Sequence, residues 1–202
     1  VSTRSDIPLF PLNTVLFPGG RLPLRIFEQR YMDMAKICIR DNQPFGVCLL
    51  EQGAEVAAPN QTPAQPHGFG TLAHIGDWDM PQFGVLNVAT RGEQRFRVIA
   101  THREKSGLLR GEVEPIAEPA LQTIPSDFAR LVPLLRVIVS DMAEAAPPEP
   151  HRFNDANWVG YRYCEVLPIP NAARQKLLEL DDSISRLEII FRFLEQKKLL
   201  VA

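Results

Sequence analysis

Lys105 and Ser106 bring together the two residue types of a serine–lysine hydrolase, in which a desolvated lysine activates a hydroxyl nucleophile. Neighbouring side chains on a polar loop point apart, so this pair does not assemble such a site. Asp77 and Asp79 flank Trp78 and offer two carboxylates to a hard cation. With no further oxygen ligands at the spacing of a cation loop, they read as a solvated turn. The four histidines, His67, His74, His102 and His151, contain no i, i+4 pair, so HExxH is absent, and GxSxG is absent too. No glycine is followed by lysine, which removes a phosphate-cradling loop of the GxxxxGK[ST] type. Gly68-Phe69-Gly70 is a fragment of a glycine loop and suits a strand that turns sharply. Cys38, Cys48 and Cys164 are odd in number and form no CxxC, so they predict neither a disulfide framework nor a zinc site. Their pattern fits a reducing, cytoplasmic compartment. The expectation is a protein with no catalytic residues, no metal and no cofactor.

Binding chemistry is better represented. Trp78, Met80 and Phe83 fall in or beside a segment, Gly76 to Gln82, that reads as a hairpin loop; aromatic and thioether side chains at a loop tip are the types that anchor partners. Arg91, Arg95 and Arg97, with His102, Arg103 and Lys105, form a basic stripe along one predicted hairpin that could meet an acidic partner or an RNA backbone. Glu93, Glu104 and Glu112 dilute that stripe. The formal charge is −2, and residues 1–118 and 119–202 each carry a net −1. Neither part has the basic excess of sequence-independent phosphate binding. A polypeptide or protein partner is the leading expectation, and RNA is the alternative.

The elements that must position these residues begin with a proline-studded apolar run, Ile7 to Leu12, Val15 to Gly20 and Leu22 to Glu28. It needs burial, yet proline neither donates to a ladder nor belongs inside a helix. Extended chain on β-edges, turning at Gly19-Gly20, is the solution. Glu28 to Arg40 then predicts a helix with Phe27, Tyr31, Met34, Ile37 and Cys38 on one face, stopped at Asp41-Asn42. Strands follow at Phe45 to Leu50, Gly70 to Ile75, Phe83 to Thr90, Gln94 to Ile99 and Leu108 to Val113, with a loop over 53–66 and a turn at Arg91-Gly92-Glu93. In the fourth of these Arg95 and Arg97 alternate with Phe96 and Val98, which predicts one wet face. From about residue 120 the periodicity becomes helical. Ser126 or Asp127, Asn171 and Asp182 are candidate caps, Asp155 to Val166 reads as a helix, and Ile184, Leu187, Ile190, Phe191 and Leu194 form the last stripe. The expected fold is α+β, with a small β-barrel and one early helix over 1–119 and an α-helical bundle over 120–202. No apolar stretch is long enough to span a membrane, and no secretory leader is visible at the N-terminus.

Five motifs in order resemble one family. They are Ile7-Pro8-Leu9 with Val15 to Pro18 and Leu22-Pro23-Leu24, followed by Glu28 to Tyr31; Gly70 to Ile75; Val88 to Val98; Glu114-Pro115 with Glu118-Pro119; and Leu178-Glu179 to Asp182 with Arg186-Leu187-Glu188. Together they are similar to the N-terminal substrate-binding domain of the ATP-dependent Lon (La) protease and to small bacterial proteins made of little else. Thr90-Arg91 stand where the family's turn approach is simpler. The resemblance implies a PUA-like β-barrel followed by a helical bundle, and a role in recognising unfolded or tagged polypeptides. No ATPase or serine–lysine protease sequence accompanies it, so proteolysis is not implied. PUA-like barrels in other families bind RNA, which is the source of the alternative reading.

Overall fold

Proline at positions 8, 11 and 23 sets the first problem the fold must solve, and the computed structural model, described for residues 4–56 and 62–200, shows how it is solved. Strand β1, Ser5–Leu12, changes partner in mid-course. Ser5 to Leu9 run antiparallel to β6, Leu109–Pro115, whereas Leu9 to Leu12 run parallel to β3, Phe45–Gln52. Pro8 and Pro11 therefore each lie where β1 has a ladder on one side only, and the missing N–H can face away from it. The expectation that the opening run forms sheet edges is corrected for β1, which lies between two strands. It holds for β2, Arg21–Ile26, whose single partner is β5.

Two long strands, β4 (Gln65–Gln82) and β5 (Val85–Arg103), carry the rest of the sheet. The order is β2-β5-β4-β3-β1-β6, with an additional β5–β6 pairing. The ladders thus run in a closed circuit from β5 through β4, β3, β1 and β6 back to β5. Register shifts near Gly76, Gly92 and Ile99 bend the long strands so that one strand can serve several neighbours. Two sequence expectations change here. Gly76 to Gln82 is strand, and the turn is Phe83-Gly84, with Gly84 at φ 81°. Arg91-Gly92-Glu93 is not a hairpin loop but the bent interior of β5.

Gly92 has a specific reason to be glycine. Its N–H donates to the carbonyl of Gly20 at 2.8 Å, and its carbonyl accepts from Gly19 N–H at 2.7 Å. A Cβ at this position would collide with the carbonyl oxygen of Phe17. The proline-rich run is thereby fastened onto β5.

Helix α1, Gln29–Asp41, covers one side of the sheet with Tyr31, Met32, Met34, Ala35 and Cys38. Tyr31 stacks on Phe10 with ring centroids 3.8 Å apart, which joins the helix to β1. Phe27 and Ile37, placed on the buried stripe by periodicity, are exposed; Ala35 belongs to that stripe instead. Asn42, at φ 51°, ends the helix in the left-handed conformation.

The chain divides into two compact units, Val1–Ala117 and Glu118–Ala202. In the second, α2 (Leu131–Asp141), α4 (Asn171–Glu179) and α5 (Ser183–Gln196) pack on α3 (Ala156–Val166). Helix α3 is buried nearly all round, from Ala156 through Cys164, as the central member of a small bundle must be. Asp155 caps it by accepting from Asn157 N–H, and Asp182 caps α5 by accepting from Ser185 N–H. Two expected caps fail. Ser126 and Asp127 open a single 3₁₀ turn rather than α2, whose first turn takes Pro133 without losing a needed N–H. Asn171 is already inside α4, behind Pro170.

Candidate functional site

Ser106, His74, His151 and Asp77 each have a local hydrogen-bond partner. Ser106 Oγ accepts from Leu108 N–H at 3.3 Å and lies 3.4 Å from Glu104, while Lys105 is exposed to solvent, so no desolvated lysine addresses a hydroxyl. His74 Nε2 sits 2.8 Å from the amide oxygen of Asn42, and His151 Nε2 lies 3.0 Å from the carbonyl of Pro147. Asp77 accepts from the N–H of Trp78 at 2.8 Å. Among the described residues, no three His, Cys, Asp or Glu side chains are grouped to hold a metal ion. The three thiols are buried, and burial pushes Cys38 up to about 11 and Cys164 up to about 12, with Cys48 raised further. A thiol held this far above neutrality is a packing residue rather than a nucleophile.

The basic stripe comes apart in three dimensions. Arg91 is exposed on β5, directly across from Arg21 of β2. Arg97 is exposed and lies over the ring of Phe69 at 5.2 Å. Arg95 is only 1% exposed, next to Thr71 in the β4–β5 register, so the wet face expected of this strand does not include it. The bend in β5 at Gly92 breaks the alternation on which that expectation rested. Arg110, by contrast, is tied to Asp6 at 2.6 Å.

Trp78, Met80 and Phe83 remain accessible, at 53%, 44% and 102% exposure. Trp78 and Met80 alternate along β4 and share a face, and Phe83 occupies the turn that follows. Trp78 stands across from Val88, which is buried, so the apolar face of the sheet continues outward past the core at this end.

A second apolar surface escaped the sequence reading. In the helical unit, α4, α5 and the Leu167–Pro170 link enclose an open groove of about 590 Å³. Its walls include Leu167, Ile169, Ala173, Leu177, Ile189 and Phe193, with Lys176 and Glu179 at the margin. Lys176 and Glu179 pair with each other at 2.9 Å, and Lys197 Nζ lies over the ring of Phe193 at 5.9 Å. Ile189 and Phe193 are spaced i, i+4, outside the buried stripe of Leu187, Ile190 and Leu194. That surplus of apolar residues on α5 was the available signal; its meaning depends on α4 lying alongside.

A model of the ATP-dependent protease La (Lon) substrate-binding domain matches residues 6–196, nearly the whole sequence. The chain belongs to this family. Among its Lon relatives, Lon protease 2 of Myxococcus xanthus is 24% identical over 206 residues, covering 95% of this chain and 24% of that protease. The Lon protease of Methylocella silvestris is 29% identical over 91% of this chain and 23% of its own length. The chain therefore spans about a quarter of the Lon proteases it matches. Cereblon of Gallus gallus is 27% identical over 59% of the chain. The crystal structure of a Lon N-terminal domain protein from Xanthomonas campestris superposes with a TM-score of 0.73 at 32% identity, covering 94% of this chain and 98% of the other. The N-terminal domain of Mycobacterium avium complex Lon protease, at 15% identity and a TM-score of 0.63 over 95% of this chain, shares the fold. The α+β Lon N-terminal architecture expected from the five motifs is thus found. The comparisons lend the RNA-binding alternative no support. Among the described residues, no helix is long and apolar enough to cross a membrane.

Proposed function

We propose that this Lon substrate-binding domain relative is a non-catalytic module that holds apolar segments of polypeptide chains. The observation that carries the reading is the α4–α5 groove, an apolar trough of about 590 Å³ with the Lys176–Glu179 pair at its margin. A groove of this kind suits an amphipathic or extended apolar segment, because hydrophobic burial is non-directional and tolerates many sequences. Tolerance is what recognition of unfolded chains requires. Trp78, Met80 and Phe83 supply a second apolar surface in the sheet-bearing unit, and Arg91 and Arg97 border the same strands with positive charge. Arg95, being buried, takes no part.

The test is binding of a permanently unfolded polypeptide, reduced and carboxymethylated α-lactalbumin, followed by fluorescence anisotropy. Binding is expected, and Ile189→Asp should weaken it by roughly tenfold, since it places a charge in the apolar trough at a site 48% exposed in the native fold. Trp78→Asp tests the second surface in the same assay. Absence of binding by the native chain, at concentrations up to ~1 mM, rules the reading out. Binding unchanged by Ile189→Asp removes the groove from it.

A further inference from the structure

Ile189, Phe193 and Lys197 recur at every fourth position of α5 and its C-cap, and so lie in one row on the helix surface. Lys197 N–H still donates to the Phe193 carbonyl at 3.1 Å, so the helical spacing holds to this point. Ile189 and Phe193 belong to the wall of the α4–α5 groove, and Lys197 Nζ sits over the Phe193 ring at 5.9 Å. The row therefore runs from an apolar trough to an ammonium group just beyond its end. Lys198 follows, exposed like Lys197.

Charge around the trough is unevenly matched. The carboxylates of α4 and α5 each have a cation: Glu179 pairs with Lys176 at 2.9 Å, Glu188 with Arg192, and Glu195 with Arg130 at 3.6 Å. At the opposite end of α5, Asp182 accepts from Ser185 N–H as the helix cap, and Asp181 is engaged as well. Lys197 and Lys198, by contrast, form no ion pair among the described residues. Two ammonium groups without carboxylates at one end of an apolar trough favour an anionic group carried at the end of an apolar chain.

We propose that the α4–α5 groove takes an extended apolar polypeptide segment followed by acidic side chains. The apolar part lies against Ile189 and Phe193, and the acidic part meets Lys197 and Lys198. Ile189 and Lys197 are about 12 Å apart along the helix axis, which an extended chain covers in about four residues. Apolar side chains at alternate positions then precede the acidic one on the same face of the segment. Apolar contact supplies affinity with little demand on sequence, and the lysines add a preference that salt screens. A second copy of the groove is a poor occupant, because the carboxylates bordering it are already paired and none is left to meet the lysines. The proposal rests on the polypeptide-binding reading of this groove and narrows its substrate class.

The probe is a tetramethylrhodamine-labelled peptide, Gly-Ser-Leu-Ala-Phe-Ala-Asp-Asp, with an amidated C-terminus that removes the terminal carboxylate. It is compared with the same peptide ending in Lys-Lys, on the full chain at low ionic strength, by fluorescence anisotropy. The Asp peptide is expected to bind about fivefold more tightly. Replacing both exposed lysines, Lys197→Glu with Lys198→Glu, should reverse that order, a gain for the Lys peptide that damage to the fold cannot produce. The ratio should vanish in about 1 M sodium chloride while binding persists. Ile189→Asp should weaken both peptides alike. Equal binding of the two peptides at low salt, or a ratio that the double variant leaves unchanged, overturns the proposal. So does a concentration-dependent dimer in sedimentation velocity that Ile189→Asp abolishes, since it gives the groove to a second copy. Carboxymethylated α-lactalbumin bound through Ile189, with the two peptides bound equally, refutes the acidic preference alone; failure of all three ligands to bind refutes the polypeptide reading with it.

Discussion

Arg162 Nη2 donates to Glu165 Oε1 at 2.8 Å one turn further along α3, yet this carboxyl is held high, at about 7, because burial outweighs the attraction of Arg162 and Arg174. Its ordinary value is 4.5. A group with a raised folded pKa contributes stability that is complete below the unfolded value and is lost as pH rises through the folded one. Urea denaturation between pH 5 and 8 should therefore show stability falling with rising pH, by on the order of 2 kcal/mol from this group. Glu165→Gln should flatten the profile in that window while keeping an acceptor for Arg162. A variant as steep as the wild type would assign the dependence elsewhere.

Burial of all three thiols has a chemical consequence. Cys38, at about 11, Cys164, at about 12, and Cys48, raised above both, contain almost no thiolate at pH 8. Ellman's reagent should leave the native protein unlabelled for hours and modify three thiols in guanidinium chloride. A single fast-reacting thiol under native conditions would contradict the burial described for that residue.

Arg186 is fully buried in the helical unit, and its guanidinium does the work of three separate contacts. Nε donates to the Leu177 carbonyl at 3.0 Å, Nη1 to Asn157 Oδ1 at 2.8 Å, and Nη2 to the Leu180 carbonyl. The group also lies over the Tyr161 ring at 4.3 Å. It satisfies carbonyls at the end of α4 that no helix continues to bond. Arg186→Ala should cost about 3 kcal/mol or more, and Arg186→Lys should recover little of it, because an ammonium cannot reproduce the planar fork. Equilibrium denaturation of both variants decides this.

Gly92 makes the third stability prediction. Its Cβ would strike the carbonyl of Phe17, a backbone atom held in place by the hydrogen-bonded turn of Gly19 and Gly20. Gly92→Ala should destabilise the protein by roughly 2 kcal/mol. Faster exchange of the Gly19 and Gly92 amides should accompany the loss. By contrast Gly68→Ala, which meets nothing within 4 Å, should be nearly neutral.

Local residue chemistry made much of this fold legible in advance. Asp155 and Asp182 announced two helix starts because a carboxylate cap acts within three residues. Tyr31, Met34 and Cys38 announced the buried side of α1 through spacing alone. Trp78 and Met80 read as residues of a hairpin loop but lie exposed on β4, because Gly76 and Pro81 look like turn residues and β4 absorbs both in an irregular strand.

What only the tertiary structure decided depends on residues far apart in sequence. Arg95 and Arg97 look alike along the chain, and the bend of β5 buries one and exposes the other. Pro8 and Pro11 read as edge residues, and the change of partner at Leu9 gives them one-sided ladders inside the sheet. The α4–α5 groove forms where Ile189 and Phe193 of α5 meet Ala173 and Leu177 of α4 and the Leu167–Pro170 link. Periodicity reports which face of an element is apolar; it carries no information about what arrives to cover that face, or fails to. For this member of the Lon substrate-binding domain family, the uncovered faces are where its binding function is proposed to lie.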